Sequence, residues 1–408
     1  MPMPFVAIVY LGSHFLSLLG NGIVAVALPL IVLQTTGSPL SVSAVSTATA
    51  GPALLVGLFA GVVLDRVNRR NCSVLADVVS AGAVAAIPLV EVLWGLNLWW
   101  FVALAIVGSF GDVPGMTARE VLVPAVARHT GIPLERLVGL RQSLTSMGLV
   151  IGPAAAGGLL ALFDGSTVLL VTAATSATAA LLTALMPRHF GRIDSAPGER
   201  ASVWAQLVAG VGVLRRSRFL TGMVGLTVGL ATVVGGLQGL VLPLYFSVIG
   251  RPDLLGFVLT ALAIGMLAGA GLFAAVGTRR SRRFWMTIAL AGTTTGFVLI
   301  ATLAAPATVF AGAALVGVSN ALLGAVVGVL QAERIPETLR GRVLSLQNSF
   351  LQVAAPAGIG LAGAVAEYGS PVLAGLAVTA VWLVVLVAVV GSRALTDLEP
   401  KEQTVAQQ

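Results

Sequence analysis

The chain has 408 residues, of which 57% are hydrophobic, 48 are glycine and only 10% are charged. Soluble domains carry about 25% charged residues, so most of this surface must face lipid rather than water. One cysteine, Cys72, excludes an internal disulfide framework, and the formal charge of +7 must be explained by placement before any nucleic-acid partner is invoked.

Stretches free of Asp, Glu, Lys and Arg cover 1–64, 92–111, 142–163, 165–187, 219–250, 254–278, 284–332, 343–366 and 368–392. A helix needs about 20 apolar residues to cross the hydrocarbon core. The first and seventh stretches hold two such helices each, and a further one fits at 73–93, where Asp77 and Glu91 are the only interruptions. The expected fold is therefore an all-α membrane protein of twelve transmembrane helices in two pseudo-symmetric six-helix bundles. Their predicted limits are 1–186 and 219–392, with a cytoplasmic linker over 187–218 and a cytoplasmic tail over 393–408. Within the linker, Trp204, Leu207, Val208, Val211 and Leu214 recur at helical spacing. That pattern suits either an amphipathic helix on the membrane surface or an extension of span 7.

Orientation follows from the basic residues. With the amino terminus inside, segments 65–72, 119–141, 187–218, 279–283, 333–342 and 393–408 face the cytoplasm and hold 22 of the 23 basic residues. Arg251 alone lies on the other face. Cytoplasmic loops carry such an excess, so the charge reports topology and no nucleic-acid partner is expected.

The halves repeat. Leu28-Pro29-Leu30 returns as Leu242-Pro243-Leu244 and Gly57-Leu58-Phe59-Ala60 as Gly271-Leu272-Phe273-Ala274, both after 214 residues. Basic turns follow each copy, at Arg69-Arg70 and Arg279-Arg280. Parallel six-helix repeats organise transporters that bind substrate near the midplane between their halves.

After span 2 comes Gly61-Val-Val-Leu-Asp65-Arg66-Val-Asn-Arg69-Arg70. This resembles the signature loop between helices 2 and 3 of the major facilitator superfamily. The resemblance implies a cytoplasmic gate in which Asp65 faces the amino terminus of span 11 near Gly341. A carboxylate favours such a terminus, and Gly61 permits close helix contact. Asp77, about two turns beyond Arg70, is expected to pair with a basic residue of this gate. The second copy of the loop has Arg279 where Asp65 would map. In span 5, Gly148, Gly152, Pro153, Gly157 and Gly158 resemble the helix-5 motif of exporters in the same superfamily, with one alanine more than expected. Met116-Thr117-Ala118-Arg119-Glu120, the span-5 run and Leu339-Arg340-Gly341-Arg342 together resemble Tap-type drug efflux pumps and the branch that includes the enterobactin and macrolide exporters. In that branch an acid often stands between two glycines of helix 1, whereas here the residue is Asn21.

Polar residues inside membrane helices are expensive and mark candidate sites. His14, Ser17 and Asn21 share a face of span 1, and Ser109, Asp112 and Met116 a face of span 4. Gln238, Asn320, Asn348 and Gln352 are further candidates to line a cavity. For the neutral ones, an ordinary interhelical hydrogen bond is the competing explanation. Asp112 is the candidate proton-coupling residue; the alternative is a fixed ion pair with Arg141. The resemblance implies proton-coupled efflux of a small amphiphilic substrate across the bacterial cytoplasmic (inner) membrane, by a monomer with both termini in the cytoplasm. No cofactor, metal or ATP is expected. A dedicated exporter of an endogenous siderophore or secondary metabolite is the second reading, and a membrane-embedded enzyme a remote third.

Overall fold

A computed structural model describes residues 3–64, 68–187, 217–334 and 337–392. Twelve long helices fill these segments: α1 Met3–Thr36, α2 Pro39–Leu64, α3 Arg69–Trp94, α4 Leu98–Thr130, α5 Leu134–Leu162, α6 Gly165–Leu185, α7 Arg218–Val248, α8 Asp253–Val276, α9 Arg282–Thr302, α10 Pro306–Arg334, α11 Glu337–Tyr368 and α12 Pro371–Gly391. No strand occurs among the described residues. Eleven of the helices are long and apolar enough to cross a membrane, and α2 is 26 residues long without a charged side chain. The chain is a multi-pass membrane protein.

Short polar residues set several helix starts. Asn68, Asn97, Asp164, Ser217, Ser281 and Ser370 each accept a hydrogen bond from a backbone N–H of the following turn. Such caps satisfy donors that have no partner within the helix. Hydrogen bonds from Thr167 also hold the Asp164 carboxyl below its ordinary range. Gly131, at φ 67°, ends α4 in the left-handed region that a side chain disfavours. The segment 119–141 is therefore not one cytoplasmic connection. It is the last turns of α4, a three-residue link at 131–133, and the first turns of α5.

The packing repeats as the sequence does. In one bundle α1 lies against α5 and α6, α3 against α4 and α6, and α2 against α4. In the other, α7 lies against α11 and α12, α9 against α10 and α12, and α8 against α10. Gly57 and Gly271 each stand 18 residues beyond the first residue of α2 and α8. The halves differ in α7, which contains a wide π turn, Leu237–Val241, where α1 runs on as a regular helix.

The bundles meet along two symmetry-related seams, α2 with α11 and α5 with α8, and α1 and α2 also touch α7. Among the described residues, the hydrogen bonds across the seams lie toward the end that carries Arg251. The Glu367 carboxylate on α11 accepts from the Ser38 hydroxyl at 2.7 Å and from the Leu40 backbone N–H, in the first turn of α2, at 3.2 Å. Ser43 donates to the Ile359 carbonyl at 2.8 Å, and Thr260 donates to the Val150 carbonyl at 3.2 Å. The linker, apart from its two ends, and the tail lie outside the described residues.

Candidate functional site

A cavity of about 280 Å³ opens inside the first bundle, between α1, α2, α3 and α4. Its wall is mostly apolar, with Ile87, Phe101 and Leu104 among the larger side chains. Asn21, Thr49, Ser80, Ser109 and Asp112 supply the polar groups, and Asp112 is the one acid among the described lining residues. Ser80 of α3 and Asp112 of α4 line the same cavity. A mostly apolar concavity with a few convergent polar groups is the usual form of a small-molecule site.

Two helical turns along α4 from Asp112 stands Arg119, and here the structure departs from expectation. Arg119 is not a loop residue. It is 4% exposed and forms a salt bridge with Asp77 of α3, which is equally buried. Ser17 of α1 completes the group: its hydroxyl donates to Asp77 Oδ1 at 3.3 Å and accepts from the Arg119 guanidinium at 2.9 Å. The Tyr10 hydroxyl donates to the Arg119 carbonyl at 3.0 Å. The helices approach closely because Gly111 and Gly115 of α4 face Ala76; a side chain at either glycine would strike α3. The partner of Asp77 is thus inside the bundle, not at the surface loop.

Residues that occupy the matching places in the second bundle carry no such charges. Asp77 is the ninth residue of α3 and Leu290 the ninth of α9; Arg119 is the 22nd of α4 and Val327 the 22nd of α10. Both counterparts are buried and apolar. By the same count, Asp112 corresponds to Asn320.

The remaining candidates are dispersed. His14 is buried and lies 3.1 Å from the Thr145 hydroxyl of α5, through Nε2. Met116 is exposed. Gln238 sits in the π turn of α7, beside a narrow crevice of the second bundle lined also by Phe297. Asn320 is half-buried and Gln352 exposed, and the side chain of Asn348 lies outside the described residues. Arg141 pairs with Glu120 at 3.1 Å, so it is not the partner of Asp112.

Of the gate residues, Gly61 lies in the last turn of α2, Gly341 lies in α11, and Asp65 and Arg66 fall outside the described residues. Arg69 opens α3. Arg70 donates to the Met186 carbonyl at 3.1 Å and to the Ala184 carbonyl, tying α3 to the end of α6. The glycines of α5 divide between two neighbours. Gly148 abuts Leu18, and a Cβ on Gly152 would come within 3.0 Å of the Gly22 backbone of α1. Pro153 and Gly157 instead meet Gly256 of α8, across the seam, while Gly158 faces open space.

Asp77 and Ser17 stand out in the sequence as separate polar residues in apolar runs, and Arg119 does not stand out there as their partner. A signal was available: Arg119 falls on the same face of α4 as Asp112, seven residues on.

Comparison with known proteins places the chain. The family described as Major Facilitator Superfamily matches over residues 10–252 and 224–408. The multidrug efflux pump Tap of Mycolicibacterium fortuitum is 31% identical over 357 residues, 85% of this chain and 86% of the relative. The pump of the same name from Mycobacterium tuberculosis is 32% identical over 370 residues, covering 88% and 86%. Macrolide efflux protein A of Streptococcus pyogenes is 24% identical, covering 86% and 87%. Among solved structures, the nucleoside transporter NupG superposes with a TM-score of 0.75 at 13% identity, over 95% of this chain and 99% of that one. A bacterial homologue of the lysosomal transporter Spinster gives 0.67 at 14% identity, over 98% and 99%. With repeated six-helix bundles, matched seams and these relatives together, the chain belongs to the Major Facilitator Superfamily.

Proposed function

We propose that the protein is a proton-coupled exporter of small amphiphilic compounds, drugs among them, working by alternating access in a bacterial cytoplasmic membrane. The observation that carries this reading is the Asp112 cavity. One carboxyl group, among a few neutral polar side chains in a mostly apolar wall, offers both a proton site and a counter-charge for an amphiphile. Kinship with efflux pumps over most of the chain supports the export direction.

Under the positive-inside rule the arginine-rich end faces the cytoplasm, so the hydrogen-bonded seams close the external end. In the reverse state these seams part and Asp65 meets the amino terminus of α11 near Gly341. A carboxylate in that position contributes about 0.3–1 kcal/mol if exposed. Expression in an efflux-deficient host should lower accumulation of some hydrophobic cation or antibiotic, and an uncoupler should abolish that difference. Asp112→Asn should lose uphill efflux while retaining substrate binding and downhill exchange. Uphill efflux at the wild-type rate in this variant would remove Asp112 from the coupling step.

A further inference from the structure

The connection between α8 and α9 borders a cavity of about 740 Å³ at the arginine-rich end of the second bundle. Arg279, Arg280 and Arg282 line one part of it, and Phe273, Trp285 and Val329 another; no acid is among the described lining residues. Its aromatic wall is fixed. The Trp285 indole N–H donates to the Gly277 carbonyl at 3.0 Å, and its ring meets Phe273 edge-on at 5.8 Å between centroids. Beside the cavity, Phe284 and Ile288 of α9 are exposed apolar side chains, 41% and 42% accessible, and Arg280 lies over the Phe284 ring.

The internal repeat explains why an anion is called for. The 214-residue offset sets Arg279 against Asp65, so this connection holds a cation where its counterpart holds a carboxylate. Arg279, Arg280, Arg282 and Arg283 fall within five residues. A phosphate ester suits them, because guanidinium groups bind its oxygens in pairs. The rest of the surroundings select among phosphate esters: the space far exceeds a free phosphate, and the apolar flank runs toward the membrane interior.

We propose that this cavity binds the headgroup of an anionic phospholipid, its phosphate on Arg279 and Arg280 and its acyl chains along Phe284, Ile288 and Val329. Basic pockets between membrane helices at this face are suited to such headgroups. The inference needs only the membrane fold and is independent of what the protein transports.

The test is native mass spectrometry of the full chain titrated with phosphatidylglycerol or phosphatidylcholine, with size-exclusion chromatography as the folding check. Phosphatidylglycerol should bind preferentially, and about thirty-fold more weakly to Arg279→Gln/Arg280→Gln, at a tenfold change per 1.4 kcal/mol. The Arg279→Lys/Arg280→Lys variant, which keeps the charge and loses the paired guanidinium bonds, should bind between the wild type and the glutamine variant, and Arg251→Gln should keep the wild-type affinity. Equal binding of the two lipids, or an unchanged glutamine variant, would overturn the proposal. Displacement of the lipid by millimolar inorganic phosphate would overturn the lipid as the source of the anion. Should the glutamine variant misfold, the preference of the wild-type chain between the two lipids decides alone.

Discussion

Arg119 and Asp77 set the largest electrostatic risk in the first bundle. Removing water from two charges costs several kcal/mol per ion, and only close pairing with further hydrogen bonds offsets it. Ser17 and the backbone geometry of α3 and α4 supply that closeness. Arg119→Met should therefore destabilise the protein by about 3–5 kcal/mol, because Asp77 is left charged and buried. The second bundle indicates the remedy, since Leu290 and Val327 stand at the matching places. Asp77→Leu/Arg119→Val should unfold in detergent near the wild-type temperature, while either single change unfolds well below it. A double variant no more stable than the singles would show that these places are not interchangeable between bundles. Asp77, Ser17 and Asp112 were visible in the sequence as polar residues in apolar runs. Their partners were not, because the Arg119 side chain reads as positive-inside punctuation until α4 is known to continue past it.

At the scale of helices, the α5–α8 seam depends on the absence of side chains. A Cβ on Gly256 would strike the Pro153 carbonyl and the Gly157 backbone. Overpacking of this kind costs about 1–3 kcal/mol and is relieved when the helices separate. Gly256→Ala should shift the population about tenfold or more toward an open Arg251 end. In a Cys72→Ser background, Ser43→Cys, placed on the α2–α11 seam, should react faster with an impermeant maleimide when Gly256→Ala is added. An unchanged rate would separate the two seams mechanically. Glu367→Leu should act in the same direction through loss of the Ser38 and Leu40 contacts. The glycines of α5 were legible as a motif, but not the division of their contacts between α1 and α8, which depends on crossing angles that spacing alone does not encode.

For the whole molecule, helix number, repeat and family were all legible, because lipid enforces long uncharged stretches and duplication leaves words at a constant offset. The Asp112 cavity was less so. A repeat of two halves points to a lining shared by both, whereas this cavity lies within the first bundle, between α1, α2, α3 and α4. Its place depends on how helices of one half splay, which no local pattern records. Topology remains directly measurable. A cysteine introduced at Gly250 should label from outside intact cells and one at Gly198 should not; the reverse result would invert the molecule. The π turn of α7 has a consequence of a genetic kind. A π turn accommodates one surplus residue while the helix on either side keeps its faces. Across most membrane helices a one-codon deletion rotates everything beyond it by about 100°. Within Leu237–Val241 the same deletion should leave an unbroken α-helix with both flanks in register, so α7 holds a point at which the reading frame of faces survives a change in length.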